Sequence, residues 1–185
     1  MNESPKNLYP LIVPAEYLQS GVWKLPHSTL NMHDLILTWV LLHEKQTMVY
    51  VSIEQVQEWT RDNIDWGRIA IENMRRDTGE NPATHEKRDQ SGNLQWVAMM
   101  QADGLGSSRV LMAEELNRLF PDGYLLAIPE RSVGMAVSVN ATAEHRDSFM
   151  SVVRKCQRDG ITEMLDKLLT PTDVLPTRGS SCLEG

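Results

Sequence analysis

Hydrophobic and polar positions form three successive hairpin patterns along this chain. Residues 33–42 read HDLILTWVLL, with both alternating faces mostly apolar, which is typical of a central strand, and MVYV at 48–51 predicts its hairpin partner. ATHEKRD at 83–89 and NLQWVAMM at 93–100 flank the turn Gln90-Ser91-Gly92 and predict a second hairpin, whose polar first strand is exposed or at a sheet edge. YLLAI at 124–128 and VGMAVSV at 133–139 predict the third hairpin.

Helical patterns follow each hairpin. Ser52 stands three residues before Gln55, the spacing of a capping box, and predicts a helix start. Apolar residues recur at steps of three and four from residue 66 to 74, which predicts a second helix. Further helices are expected from Ser107 or Ser108, either of which would act as the cap, to about residue 120, from Thr142 to about residue 159, and over residues 161–169.

These elements predict an α+β fold. Three units of a hairpin followed by a helix favour one antiparallel or mixed sheet with helices mainly on one face. The length of 185 residues suits a single domain. We therefore expect an extended N-terminal arm over residues 1–31 packed on the domain, a single α+β domain over residues 32–170, and a flexible C-terminal tail over residues 171–185.

Composition narrows the classes of partner. The formal net charge is -7, with 18 basic against 25 acidic side chains, and this balance repels phosphate backbones, so we expect no nucleic acid partner. Two cysteines make no disulfide framework, which fits a reducing cytoplasm. The start of the chain lacks a signal-peptide pattern, and no apolar run approaches the roughly 20 residues of a membrane span. We expect a cytoplasmic protein without a membrane partner.

The strongest candidate for a binding site is the glycine- and serine-rich segment 103–109. Amide groups at a helix start attract anions, so the segment is a candidate anion site. Arg131, at the end of the third hairpin, is presented where a guanidinium can grip a carboxylate or phosphate. The simpler interpretation is that the serines are caps and the glycines turn residues. The candidate ligand-binding residues in these two segments are Gly104, Gly106, Ser107, Ser108, Arg109 and Arg131.

Asn73 is a further candidate, because it lies beside the apolar stripe of the helix that begins near residue 66. A buried amide there must be hydrogen-bonded, which favours a structural role. The scattered histidines have no metal-ligand spacing, and no serine lies in the pattern of a nucleophile elbow. The sequence therefore predicts no catalytic residue, no metal site and no cofactor.

Several motifs in order resemble the YtpQ-like family of uncharacterised bacterial proteins. They are YPLIVP at 9–14, LILTWVLL at 35–42 followed by MVYVS, AIENMRR at 70–76, SSRVLM at 107–112 and LLAIPERSVGMAVSV at 125–139. The resemblance implies a bacterial, cytoplasmic, single-domain α+β protein and supplies no activity. It also implies an acidic residue after Arg131, where this chain has Ser132.

Good fold patterns without catalytic chemistry favour a non-enzymatic binding or protein-interaction domain. Its polar edge at residues 84–90 is expected to pair with a strand of a second copy, as a homodimer, or of a protein partner. The alternative is a small-molecule or phosphoryl-group enzyme that uses an anion site at the 103–109 helix start together with Arg131.

Overall fold

The computed structural model describes residues 4–20, 24–43, 47–80 and 84–182. Residues 1–3, 21–23, 44–46, 81–83 and 183–185, which include parts of the predicted arm, first hairpin turn and tail, lie outside the described residues. The fold is α+β, as predicted, with helices and two antiparallel sheets. The chain divides into two compact units, Met1–Glu80 with Leu175–Gly185, and Asn81–Val174.

The sheet of the first unit is built around one long strand. The strands are β1 (Leu8–Pro14), β2 (His27–Leu30), β3 (Leu35–His43), β4 (Thr47–Tyr50) and β9 (Pro176–Cys182). All of β1 pairs with residues 35–41 of β3. β2 and β4 pair with successive parts of β3, and β9 pairs with β2. The first seven residues of β3 are buried, which explains why both of its faces are apolar in sequence.

Two helices belong to this unit. α1 (Ile53–Arg61) begins with the predicted capping box, in which Ser52 accepts from the Gln55 amide and the Gln55 side chain accepts from the Ser52 amide. α2 (Trp66–Glu80) packs against β1, and its buried residues are Ala70, Asn73 and Met74. The apolar spacing from residue 66 to 74 thus supplies the buried face of α2.

The second unit has a four-stranded sheet in the order β5-β6-β8-β7, in which every pair is antiparallel. Its strands are β5 (Thr84–Arg88), β6 (Leu94–Met99), β7 (Tyr124–Glu130) and β8 (Val133–Ser138). A 3-10 turn, Ser107–Leu111, leads into α3 (Ala113–Leu119), and α4 (Ala143–Asp159) follows β8. Thr142 caps α4 by accepting from the His145 amide at 3.3 Å, as predicted.

Both faces of this second sheet are covered. α4 lies on one face, in a core formed by Ala98, Ala127, Val133, Met135, Val137, Ala141, Phe149 and Val153. Side chains alternate along a strand, so Gly134 faces away from this core, and an atom added there would meet Val110 and the Gly106 carbonyl of the 3-10 segment. The 3-10 segment therefore packs on the face of the sheet opposite to α4.

Several predicted boundaries differ from the structure. The expected arm contributes β1, the strand at one end of the order β1-β3-β2-β9, and the expected tail contributes β9. Residues 161–169, expected as a helix, lie along the outer edge of β7 instead, where Leu169 exchanges two hydrogen bonds of 2.8 Å with Leu126. The two compact units divide the chain at residues 80/81 and 174/175, and the first of these divisions lies within the range 32–170 that was expected as one domain. The positions of β1, β9 and residues 161–169 depend on pairing with strands that are distant in the sequence.

Candidate functional site

The amides of residues 107–109 are occupied by carbonyl groups of the protein. The Ser107 amide donates to the Arg131 carbonyl at 3.0 Å, the Ser108 amide to the Leu105 carbonyl at 3.0 Å, and the Arg109 amide to the Gly106 carbonyl at 3.2 Å. An anion at a helix start is held by amides that lack such partners. The 3-10 turn Ser107–Leu111 begins after Gly106 and is capped by no side chain, so the expectation that Ser107 or Ser108 caps a helix is wrong.

Arg109 is held by an acidic neighbour. Its side chain is 1% exposed, and its two terminal nitrogens donate to the two carboxylate oxygens of Asp103 at 3.0 and 2.6 Å. Asp103 also accepts from the Leu105 amide at 2.9 Å and so closes the turn in which Gly104 has a positive φ of 73°. Because the guanidinium already has a bidentate carboxylate, it offers no uncompensated charge to an anion.

The glycines of this segment serve backbone packing. A Cβ on Gly106 would lie 1.8 Å from the Ser132 carbonyl oxygen and 2.7 Å from the Met99 carbonyl oxygen, both backbone atoms. A Cβ on Gly134 would lie 2.3 Å from the Gly106 carbonyl oxygen. The 3-10 segment therefore crosses the sheet at backbone contact, and glycine is required on both sides of the crossing.

The turn between β7 and β8 brings Arg131 beside this segment. The Arg131 carbonyl accepts from Ser107, and its side-chain Nε is buried without a hydrogen-bond partner among the described residues. Glu130 is 7% exposed, and one of its oxygens accepts from both the amide and the hydroxyl of Ser132. Ser132 thus supplies donors to a buried carboxylate, where an acidic side chain would repel it.

The structure thus brings Ser107 and Arg131 together, as the candidate site requires. They lie in a packed junction, which we define as the contact between residues 103–109 and the turn that joins β7 and β8. Ser107 and Ser108 are both fully buried, so neither hydroxyl is reached from solvent. The acidic partners that complete this junction, Asp103 and Glu130, were not among the predicted site residues. The spacing of residues in the sequence does not indicate the contacts of Asp103 with Arg109 or of Glu130 with Ser132, because each contact depends on the conformation of a turn.

Asn73 belongs to the first unit and anchors β1 to α2. Its amide nitrogen donates to the Leu8 carbonyl at 3.0 Å and to the Pro5 carbonyl at 3.4 Å, while its amide oxygen accepts from Arg76 at 3.0 Å. With both ends of the amide satisfied by the protein, Asn73 has the structural role that its place beside the apolar stripe favours.

A second contact between β1 and α2 lies beside Asn73. The Tyr9 hydroxyl donates to Asp77, which also accepts from Arg76 at 2.9 Å. Burial, followed by the hydrogen bond to the Asp77 carboxylate, raises the pKa of Tyr9 to about 12. The phenol is therefore a neutral donor over the physiological range, and no feature of the sequence indicates this pair, which is 68 residues apart.

β5 is an edge strand, as its polar sequence predicts. It pairs with β6 on one side, and no strand among the described residues pairs with its outer side. His85, Glu86, Lys87 and Arg88 are all exposed. The opposite edge of the sheet, formed by β7, is instead bonded to residues 163–169.

Three further features were checked in the residues that the structure describes: metal-ligand groups, membrane-spanning helices and the thiol of Cys156. No group of three or more His, Cys, Asp or Glu side chains there is arranged to hold a metal ion. No helix in the same ranges has the length and apolarity to cross a membrane. Burial, then the Glu130 carboxylate, raises the pKa of the Cys156 thiol, which keeps it protonated.

Comparison with known proteins leaves the family open. The motifs that resemble the YtpQ-like family lie on β1, β3, β4, α2, the 3-10 turn and the β7 and β8 hairpin, and the assignment to that family stays a prediction. No family model matches this chain, and neither the curated proteins nor the solved structures contain a match.

Proposed function

We propose that this protein is a non-enzymatic interaction domain in which an extended strand from a second copy of the chain, or from another protein, adds to the outer edge of β5. The observation that carries the proposal is the unpaired outer side of β5, seen among the described residues, in a sheet whose other edge is covered. An edge strand presents a row of amide and carbonyl groups that a further strand can bond.

Two features of β5 support strand addition. Residues 85–88 are exposed, so a partner strand reaches the edge without displacing other parts of the chain. Neighbouring side chains on a strand point to opposite faces, so Glu86 and Lys87 present a negative and a positive group on different faces of the edge. Opposite charges directly across a strand pair contribute about 0.2–1 kcal/mol, and a partner with the complementary pattern is favoured.

The same charges suit a second interpretation, in which the edge is protected against pairing. Charged side chains on an edge, Lys above all, discourage aggregation. Glu86 and Arg88 already form an exposed pair at 2.7 Å on this strand, which fits a solvated edge. The two interpretations predict opposite results when cysteines are placed on β5.

The test is disulfide trapping in a Cys156→Ala, Cys182→Ala background. In a two-fold antiparallel strand pair, one residue faces its own copy with Cα atoms about 4.5–5.5 Å apart, within the range of a disulfide. We expect either Glu86→Cys or Lys87→Cys to give a covalent dimer under mild oxidation, and sedimentation to show a concentration-dependent dimer of the unmodified protein.

Asp147→Cys, on the exposed side of α4, is the matched control and should stay monomeric under the same oxidation. The homodimer is refuted if both edge cysteines trap no more dimer than this control. Strand addition as a whole is refuted if the protein is also monomeric at all concentrations and retains no lysate protein that a Lys87→Pro edge variant loses.

The alternative enzyme reading loses its main support in the structure. It needs amides that are free to bind an anion and an uncompensated Arg109, whereas the amides of residues 107–109 donate to backbone carbonyls and the Arg109 side chain donates to Asp103. Arg131 keeps a buried Nε that has no hydrogen-bond partner among the described residues.

A further inference from the structure

The turn between β5 and β6 determines which backbone groups of β5 point away from the sheet. Asp89 donates its amide to the Asn93 carbonyl at 3.0 Å, and its carbonyl accepts from the Gly92 amide at 3.0 Å. Gly92 has a positive φ of 86°, which allows the chain to turn back into β6. Both backbone polar groups of Asp89 therefore point towards the β6 side of β5.

The outward groups of β5 follow from this anchor by alternation. In an antiparallel pair the amide and the carbonyl of one residue point to the same side, and this side changes at each step along the strand. The bulge in this pair is carried by β6, where Gln95 is the extra residue, so β5 keeps its regular alternation. The backbone groups on the open side of β5 accordingly belong to Thr84, Glu86 and Arg88.

A second copy of the chain adds to this edge under one symmetry rule. A two-fold axis that extends an antiparallel sheet is perpendicular to it, so each side chain stays on its own face and one residue of β5 lies opposite its own copy. Registers centred near the ends of β5 pair few of its residues. The registers centred inside the strand place His85, Glu86 or Lys87 on the axis, and they differ in the charges that they bring together.

Glu86 and Arg88 carry opposite charges on the same face of β5, where they form an ion pair of 2.7 Å. In the register centred on Lys87, Glu86 of each copy lies opposite Arg88 of the other, so four charges alternate in sign around the axis. The backbone groups of Glu86 and Arg88 both point outward, so each of these two pairs also exchanges two hydrogen bonds. Side-chain charge and backbone direction therefore agree in this register.

The other registers lack this agreement. Centring on Glu86 places the two Glu86 carboxylates directly opposite each other, which is destabilising. Centring on His85 places Glu86 opposite Thr84 and leaves Arg88 without a residue of β5 opposite it. The charge pattern of β5 is thus complementary to itself only when Lys87 is on the axis.

The register centred on Lys87 has one unfavourable contact, between the two Lys87 side chains. Lys87 is exposed, and its charge lies at the end of a long flexible side chain, so the two ammonium groups separate into solvent. One like-charge pair of this kind stands against two pairs of opposite charge that are bridged by backbone hydrogen bonds. The balance favours pairing.

We propose that this protein forms a symmetric homodimer in which two β5 strands pair antiparallel with Lys87 on the two-fold axis. The pairing joins two four-stranded sheets into one continuous sheet, with Glu86 of each copy against Arg88 of the other. This inference rests on strand addition at β5 as the proposed function. It deepens that proposal because it names a second copy of the chain as the partner and specifies the register.

A cysteine scan tests the register in the Cys156→Ala, Cys182→Ala background. His85→Cys, Glu86→Cys and Lys87→Cys each place a cysteine on the axis of one register. In the proposed register the two copies of position 87 form a non-hydrogen-bonded pair with Cα atoms about 4.5 Å apart, within the range of a disulfide. We expect Lys87→Cys to give covalent dimer several-fold faster under mild oxidation than the other two variants.

Charge reversal tests the pairing of Glu86 with Arg88. Added to the Lys87→Cys variant, either Glu86→Arg or Arg88→Glu puts like charges opposite each other at both pairs, and each change alone should slow trapping about tenfold. In an equal mixture of the two reversed variants, the arginines of one copy lie opposite the glutamates of the other. We expect a trapped mixed dimer, identified by its mass, and a folding defect would not be repaired by mixing.

The possible outcomes separate this inference from the proposed function. The register is overturned if His85→Cys or Glu86→Cys traps as much dimer as Lys87→Cys, or if the mixed dimer does not exceed the dimers of either reversed variant. Trapping above the Asp147→Cys control would then still support strand addition. If none of the three cysteines exceeds that control, the homodimer itself is refuted, and only retention of a lysate protein that Lys87→Pro loses would support addition of a different strand.

Discussion

Replacement of Gly106 by alanine tests whether the 103–109 segment is a packed junction. The added Cβ would lie 1.8 Å from the Ser132 carbonyl oxygen and 2.7 Å from the Met99 carbonyl oxygen. Both are backbone atoms, which do not move aside as the end of a flexible side chain does. The 3-10 segment must therefore withdraw from the sheet.

The size of the effect follows from that displacement. Ordinary van der Waals contact begins near 3.4 Å, so the segment has to move by about 1.6 Å. A shift of that size breaks the 3.0 Å bond from the Ser107 amide to the Arg131 carbonyl. Overpacking costs about 1–3 kcal/mol, and a buried amide without a partner adds about 1–3 kcal/mol. We expect Gly106→Ala to lower the free energy of unfolding by about 2–6 kcal/mol.

Urea unfolding measures the total effect, and amide hydrogen exchange over residues 124–138 shows whether it arises at β7 and β8. Gly67→Ala is the matched control, because an atom added to Gly67 in α2 would meet no neighbour within 4 Å. Alanine is the better helix former, so Gly67→Ala should stabilise the protein by about 0.5–1 kcal/mol. The two glycine substitutions thus have opposite expected signs.

A loss below about 1 kcal/mol for Gly106→Ala, with unchanged exchange protection at β7 and β8, would refute the packed junction. In that case the segment would have room to move, and a role for it in binding an anion would become reasonable again. A large loss that leaves protection of β7 and β8 unchanged would also count against the reasoning, because the clash is with the turn between them.

Two further predictions concern the contact of β1 with α2. Asn73→Ala leaves the Leu8 carbonyl without its donor and should lower the free energy of unfolding in urea by about 1–3 kcal/mol. Asn73→Asp keeps the size of the side chain but loses the same donor, so it should not recover the lost stability. Because the pKa of Tyr9 is raised to about 12 in the folded protein, its contribution to stability is fully present below pH 10 and is lost as the pH rises towards 12. The free energy of unfolding in urea should therefore fall across that window, and Tyr9→Phe should reduce the fall. An equal fall in Tyr9→Phe would contradict this prediction.

Local chemistry accounts for the parts of the fold that were predictable. The Ser52 and Gln55 capping box, the Thr142 cap and the turn before Asn93 each depend on residues within a few positions of one another. The hairpins follow from alternation, which is set by the period of a strand. The exposed edge at β5 was predictable for the same reason, because its side chains are polar on both faces.

Pairing between distant segments was not predictable from those patterns. β1 and β3 are joined across a stretch that includes the 3-10 turn Ala15–Ser20 and β2, and β9 pairs with β2 although it lies far along the chain from it. The sequence of β9 is polar, so nothing in its periodicity distinguishes it from a tail. The division into two sheets has the same origin, since apolar runs predict that a strand is buried without naming its partner.

The segment from 103 to 139 shows that residue composition alone does not distinguish an anion-binding site from a packed turn. Glycines close to serines and an arginine resemble an anion cradle, yet close backbone packing needs the same glycines, and a buried arginine needs the carboxylate that Asp103 supplies. The two cases differ in whether donors and acceptors are left over. At the 3-10 turn the amides of residues 107–109 and the Arg109 side chain are engaged, whereas the outer side of β5 has no strand partner within the described residues. Binding requires groups that the fold has not already satisfied, and this favours β5 over the segment richest in motifs.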